Sequence, residues 1–67
     1  MTVINTIDLT GVSTEGWGRA AVEAFEEAAK TIRNITKIDV VGTSAVVEDG
    51  RIAEYHTDVR IFFALDR

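Results

Sequence analysis

The chain predicts an α+β fold of order β-α-β-β, in which a three-stranded antiparallel sheet packs one face on a single helix. Three observations predict it. The segment from Arg51 to Leu65 contains no Pro or Gly and alternates apolar residues along one side. A single stretch of helical period lies between two β-rich stretches. Between the last two β-rich runs stands Asp49-Gly50, the pair that best suits a two-residue type I′ turn, which needs positive φ at both positions.

The elements follow in order. Val3 to Leu9 alternates Val3, Asn5, Ile7 and Leu9 against Ile4, Thr6 and Asp8, as a strand does, and Gly11 is expected to break it. Ser13 or Thr14 is placed to cap a helix, with Glu15 in its first turn, where the helix dipole favours an acid. From there to Asn34, the residues Ala21, Phe25, Ala28, Ile32 and Ile35 recur at steps of four and three and form one apolar stripe. The opposite side carries Glu23, Glu26, Glu27, Lys30 and Arg33, with Glu26 and Lys30 spaced to pair. Thr36 onward is rich in β-branched residues and forms a second strand, with a bend or bulge expected at Gly42.

The turn fixes a register for the last two strands. Without a bulge, Glu48 faces Arg51, Val47 faces Ile52, Val40 faces Val59, Asp39 faces Arg60 and Ile38 faces Ile61, so that apolar meets apolar and acid meets base. The same register makes Thr43 and His56 neighbours and sets Lys37 opposite Phe62, where a cation-π contact can form. One side of the last strand reads Ala53, Tyr55, Thr57, Val59, Ile61, Phe63, Leu65 and is a core face. The other reads Ile52, Glu54, His56, Asp58, Arg60, Phe62, Ala64, polar in the middle and apolar at both ends. One helix covers only one face, so the other calls for a second copy or a ligand.

Composition narrows the class. Sixty-seven residues make one domain, residues 1–67. A domain of that size buries only about 60% of its unfolded surface and needs a staple. There is no Cys, so disulfides are excluded and self-association is the remaining staple. A hydrophobic share of 46% speaks for a folded chain, and a net charge of −4 with scattered Lys and Arg speaks against nucleic-acid or anionic-membrane partners. No apolar run approaches the roughly 20 residues of a spanning helix, and the N-terminal residues lack the regions of a signal peptide, so a cytoplasmic location is expected.

At the level of motifs, Gly11 and Ser13 with Glu15 and Trp17 at the helix start, EEAAKTIRNI from Glu26 to Ile35, VEDGRIAEY from Val47 to Tyr55 and the terminal FALD stand together in order and spacing. In this the chain resembles the dodecins, small β-α-β-β proteins that assemble into hollow dodecamers and bind flavins. The resemblance implies a homo-oligomer of 12 subunits with FMN, riboflavin or FAD as cofactor. It also implies a ligand site at five positions, each of which holds a different residue here. Lys37 stands for the Trp that stacks on the flavin ring, His56 for a Gln at the ring edge, Ser44 and Ala64 for two Arg, and Phe62 for a Gly. A Lys stem replaces an aromatic plane poorly, and Ser and Ala supply no guanidinium for a phosphate.

Other residues carry two readings each. Lys37 either meets an anionic group or is solvated, and its partner Phe62 either lines a pocket or plugs it. His56, the sole His, has no Cys or second His for a metal site within one chain, so no metal is expected there. It is either an interface residue that titrates near neutral pH or a hydrogen-bonded strand His. Glu54, Asp58 and Asp39 share its face and would gather a hard cation only where copies meet at a symmetry axis, while within one subunit Asp39 and Arg60 are expected to neutralise each other. Trp17, between Gly16 and Gly18, is either an anchor at a close subunit contact or a lid on the core. Trp17, Asp39, Arg60 and Ile52 are the expected interface residues.

No phosphate loop, catalytic carboxylate pair or nucleophile elbow is found, and Ser13 and Thr14 have no base beside them, so no enzyme is expected. Two functions remain. One is a homo-oligomeric shell that binds or stores a small molecule on the second face of the sheet. The other is a structural oligomer whose pocket is closed by Lys37 and Phe62, holding nothing or only ions at its axes.

Overall fold

The computed structural model describes residues 2–65 and has the expected architecture. Strand β1 (Val3–Ser13) leads to helix α1 (Trp17–Ala29), followed by strands β2 (Ile35–Glu48) and β3 (Arg51–Leu65). The three strands form one antiparallel sheet in the order β1-β3-β2, with β3 in the centre. The aspartate of FALD, Asp66, lies outside the described residues.

Gly11 does not end the first strand. Pairing with β3 continues through Gly11↔Thr57 to Ser13↔Tyr55. The glycine is needed for a different reason: a Cβ built on it would lie 1.8 Å from the carbonyl oxygen of Ala20, so the helix rests directly on bare strand backbone. The buried stripe of the helix is accordingly Ala20, Ala24 and Ala28, with Ala21 beside it, and Phe25 sits at the margin with 38% of its surface exposed. Small residues are the ones that fit so short a helix-to-sheet distance.

The helix also begins later and ends earlier than its periodicity predicts. Gly16 is its N-cap, and no side chain caps it. The Ser13 hydroxyl instead accepts a hydrogen bond from the Glu15 amide at 2.9 Å and shapes the turn before it. The end tightens at Lys30 and Thr31, whose amides bond to the carbonyls of Glu27 and Ala28. Asn34 then takes a left-handed conformation, φ 64°, and its carbonyl accepts from the Ala64 amide at 3.0 Å, pinning the start of β2 to the end of β3. Lys30 pairs with Glu27 at 3.3 Å rather than with Glu26, which lies beside Arg19 along with Glu23.

At the hairpin, Asp49 and Gly50 have φ of 53° and 73°, both positive as the type I′ turn requires. The rungs Glu48↔Arg51 and Val47↔Ile52 next to the turn, and Val40↔Val59, Asp39↔Arg60 and Ile38↔Ile61 at the far end, pair as the sequence predicts. The middle does not. One register shift falls between Val46 and Val47 and a second between Val40 and Gly42, so from Gly42↔Asp58 to Val46↔Glu54 the pairing is offset by one residue. Ser44, not Thr43, is therefore opposite His56. The second shift restores the original frame as far as Lys37↔Phe62, and a third, between Ile35 and Lys37, ends it at the start of β2.

The core is a thin seam. Val59 and Ile61 of β3 are buried against Ala24 and Ala28, with Ile7, Leu9, Ile32, Ile35 and Ile38 packed around them. The helix lies over β1 and β3 more than over β2. Thirteen helical residues span about 20 Å, whereas the described chain extends 52 Å along its longest axis. Much of the long hairpin therefore has no layer over it. Among the described residues, Val3, Ile4, Val12, Val40, Val41, Val47, Ile52 and Leu65 all remain 44–62% exposed.

Candidate functional site

Alternation along β3 turns Thr57, Val59 and Ile61 toward the helix and sends His56, Asp58, Arg60 and Phe62 to the opposite, helix-free face. Their partners share that face: Thr6, Asp8 and Thr10 from β1, and Lys37, Asp39 and Ser44 from β2. Four of the five positions singled out by the sequence resemblance, Lys37, Ser44, His56 and Phe62, thus lie on one surface, with Ala64 next along β3 opposite Ile4.

At one end of this surface the Lys37 ammonium stands 4.4 Å from the centroid of the Phe62 ring, directly over it. In the middle, Arg60 makes a two-pronged contact to Asp8, Nε to Oδ1 at 2.8 Å and Nη2 to Oδ2 at 3.2 Å. These hydrogen bonds outweigh the opposing desolvation and, with a lesser contribution from the guanidinium charge, hold the Asp8 carboxyl below its ordinary pKa. The same hydrogen bond and the charge of Asp8 raise Arg60, with the charge of Asp39 adding to the effect. Asp39 faces Arg60 across the ladder, but the guanidinium's ion pair is with Asp8, so the expected Asp39–Arg60 pair gives way to a partner on β1.

Further along, Thr10 donates its hydroxyl hydrogen to Asp58 Oδ1 at 2.8 Å. His56 Nε2 lies 3.0 Å from Glu54 Oε1, and its side chain is 28% exposed. Two shallow depressions mark the surface. One, about 480 Å³, is lined by Thr6, Ile7, Asp8, Arg60 and Phe62. The other, about 410 Å³, is lined by Asp8, Leu9, Thr10, Val41, Asp58 and Val59. Asp8, Thr10 and Thr6 were not singled out from the sequence, although the alternation of β1 already sets Thr6 and Asp8 on one side of that strand.

Trp17 lies on the helix side of the sheet. Its indole Nε1–H donates to the carbonyl of Ser44 at 2.8 Å, its ring meets Tyr55 edge-on with centroids 4.8 Å apart, and its own carbonyl accepts from the buried Thr57 hydroxyl at 2.8 Å. One residue thereby ties the helix start to both strands of the offset segment. Trp17→Phe keeps an aromatic ring near Tyr55 and removes the N–H donor. It is expected to cost about 1 kcal/mol, as the loss of one hydrogen bond does, and to speed amide exchange selectively between Gly42 and Val46, measured by hydrogen exchange. Uniform acceleration over the whole sheet would contradict this local role. Ile52, near the turn, is 49% exposed.

The family model that describes dodecins matches residues 3–66. The chain belongs to the dodecin family. Solved dodecin structures superpose on nearly its full length. That of Streptomyces davaonensis is 27% identical, with a TM-score of 0.93, covering 98% of this chain and 97% of its own. That of Streptomyces coelicolor is 23% identical, with a TM-score of 0.94 and coverage of 98% and 94%. The tt0972 protein from Thermus thermophilus is 25% identical, with a TM-score of 0.94 and coverage of 100% and 98%. None of the curated proteins matches the chain. For this dodecin the shared β-α-β-β frame extends through both strands of the hairpin, so the helix-free face belongs to the common fold, while the residues on it are this chain's own.

Proposed function

We propose that this dodecin assembles with copies of itself into a closed, non-enzymatic shell, with 12 subunits as the family resemblance implies, and holds a flavin or a similar planar small molecule on the helix-free face. The observation that carries assembly is the exposed apolar surface: large valine, isoleucine and leucine side chains stand around half exposed along both edge strands and the hairpin. Isolated domains rarely leave so much of their apolar content in water, and a 67-residue chain has no second layer to supply. A groove of about 310 Å³ between Phe25, Ile35 and Ile38 at the β2 edge offers a further apolar seat for another copy. In the proposed shell, Trp17, Asp39, Arg60 and Ile52 are contact residues.

Binding is supported by the two open depressions and by the family resemblance. The five positions fit the ring of a flavin only in part. Phe62 supplies an aromatic plane, but the Lys37 ammonium occupies one side of it, and Ser44 and Ala64 offer no charge to a phosphate. That cation over the ring favours a second reading, in which the pocket is closed and the assembly binds no flavin, or only ions where Asp39, Glu54 and Asp58 of several copies meet.

Light scattering and flavin fluorescence test both. A large oligomer with flavin quenched in a fixed ratio to subunits is the expected result. An oligomer that leaves flavin fluorescence unchanged supports the closed pocket, and a stable monomer removes both readings. A cytoplasmic location accompanies the proposal and is checked by fractionating cells.

A further inference from the structure

We propose that the helix-free face selects its ligand by charge, accepting a planar ring with an uncharged side chain and rejecting the same ring when it ends in a phosphate. This rests on the reading that a flavin-like ring sits on that face, and it follows from where the charged groups fall. Around the two depressions and His56, the face gathers four carboxylates, Asp8, Asp39, Glu54 and Asp58, against the cations Lys37 and Arg60, while toward the turn Glu48 and Arg51 face each other.

Neither cation is free to meet an anion without cost. Arg60 already gives two N–H groups to Asp8, and the charge of Asp39 stands beside it. Lys37 lies over the Phe62 ring, so reaching a phosphate means abandoning that contact. Two of the neutral donors are committed as well: the Thr10 hydroxyl hydrogen points to Asp58, and His56 Nε2 is engaged with Glu54. The 410 Å³ depression has two carboxylates and no cation in its lining. A phosphate carrying close to two negative charges meets this surface with like charge on several sides and no bidentate partner. A ribityl chain, by contrast, offers hydroxyl donors to the same carboxylates.

Riboflavin and FMN differ by that phosphate alone and make a matched pair. Both are titrated into the intact assembly by fluorescence quenching, at low salt and again near 1 M. Riboflavin is expected to bind roughly ten-fold or more tightly than FMN at low salt, with the gap shrinking as the charges are screened. Asp58→Asn and, independently, Asp39→Asn are expected to improve FMN relative to riboflavin. FMN binding as tightly as riboflavin, or more tightly, overturns the selectivity while leaving the flavin reading in place. Failure of both to bind overturns that reading itself, and the inference with it.

Discussion

Gly11→Ala is expected to destabilise the protein by about 3 kcal/mol or more, at or beyond the upper end of ordinary overpacking costs. The added Cβ would fall 1.8 Å from the carbonyl oxygen of Ala20, 2.8 Å from its carbon and 3.2 Å from the Ala24 Cβ. The first two are helix backbone, which no rotamer change can clear. The helix must lift from β1, and lifting it opens the seam between Ala24, Ala28, Val59 and Ile61, which is nearly all the fully buried apolar material described. A small domain loses roughly 4–8 °C of Tm for each kcal/mol, so thermal unfolding followed by circular dichroism should show a drop of more than ten degrees. The control is Gly18→Ala, on the exposed side of the first helical turn, where nothing lies within 4 Å of the new atom. Alanine there should be neutral or stabilising by up to about 1 kcal/mol. Equal behaviour of the two variants would mean that the helix does not rest on Gly11.

Lys37→Trp is expected to produce the largest change in binding. The side chain is exposed, opposite Phe62 on the helix-free face, so the fold tolerates the exchange. It removes the cation from the Phe62 ring and supplies a stacking plane. Aromatic stacking is worth about 1–3 kcal/mol per ring, so flavin affinity, read by fluorescence quenching, should rise by roughly 5- to 150-fold. If affinity does not change, the obstacle lies elsewhere on the face. The double variant Lys37→Trp with Phe62→Gly then asks whether the Phe62 ring fills the space that a flavin needs. No gain in either variant would leave the other exchanged positions, Ser44, His56 and Ala64, as the cause, and restoring Arg at Ser44 and Ala64 and Gln at His56 would test them separately.

The sequence carried the parts of the fold that are written locally. Asp49-Gly50 specifies a turn by backbone conformation alone, and the rungs that flank it follow from counting outward. What it did not carry depends on surfaces that meet only after folding. Gly11 reads as a strand breaker because its neighbours in sequence say nothing of the helix that will lie on it. Phe25 has the spacing of a core residue, yet the short helix-to-sheet distance admits only Ala20, Ala24 and Ala28. The legible hairpin register sets Arg60 against Asp39, whereas Asp8 comes from a strand some fifty residues away whose register no turn fixes. At the candidate site, Lys37 over Phe62 was foreseen from the register near the far end of the hairpin. The neighbour of His56 was not, since the offset in the middle is held in part by Trp17, a residue on another element.

That offset segment has a consequence for how such a surface changes over generations. A single bulge would rotate every later residue of the strand to the wrong side, so any shift in the middle would be felt in the core. Two shifts of opposite sense confine the rotation to the rungs from Gly42 to Val46 and from Glu54 to Asp58. Inside that window, exposed residues can be exchanged while the turn and the rungs Val40↔Val59 and Ile38↔Ile61, which carry the buried Val59 and Ile61, keep their partners. The hairpin thus behaves like a fixed frame around an interchangeable panel, in which new chemistry can be tried at Ser44 and His56 without putting the rest of the molecule at risk.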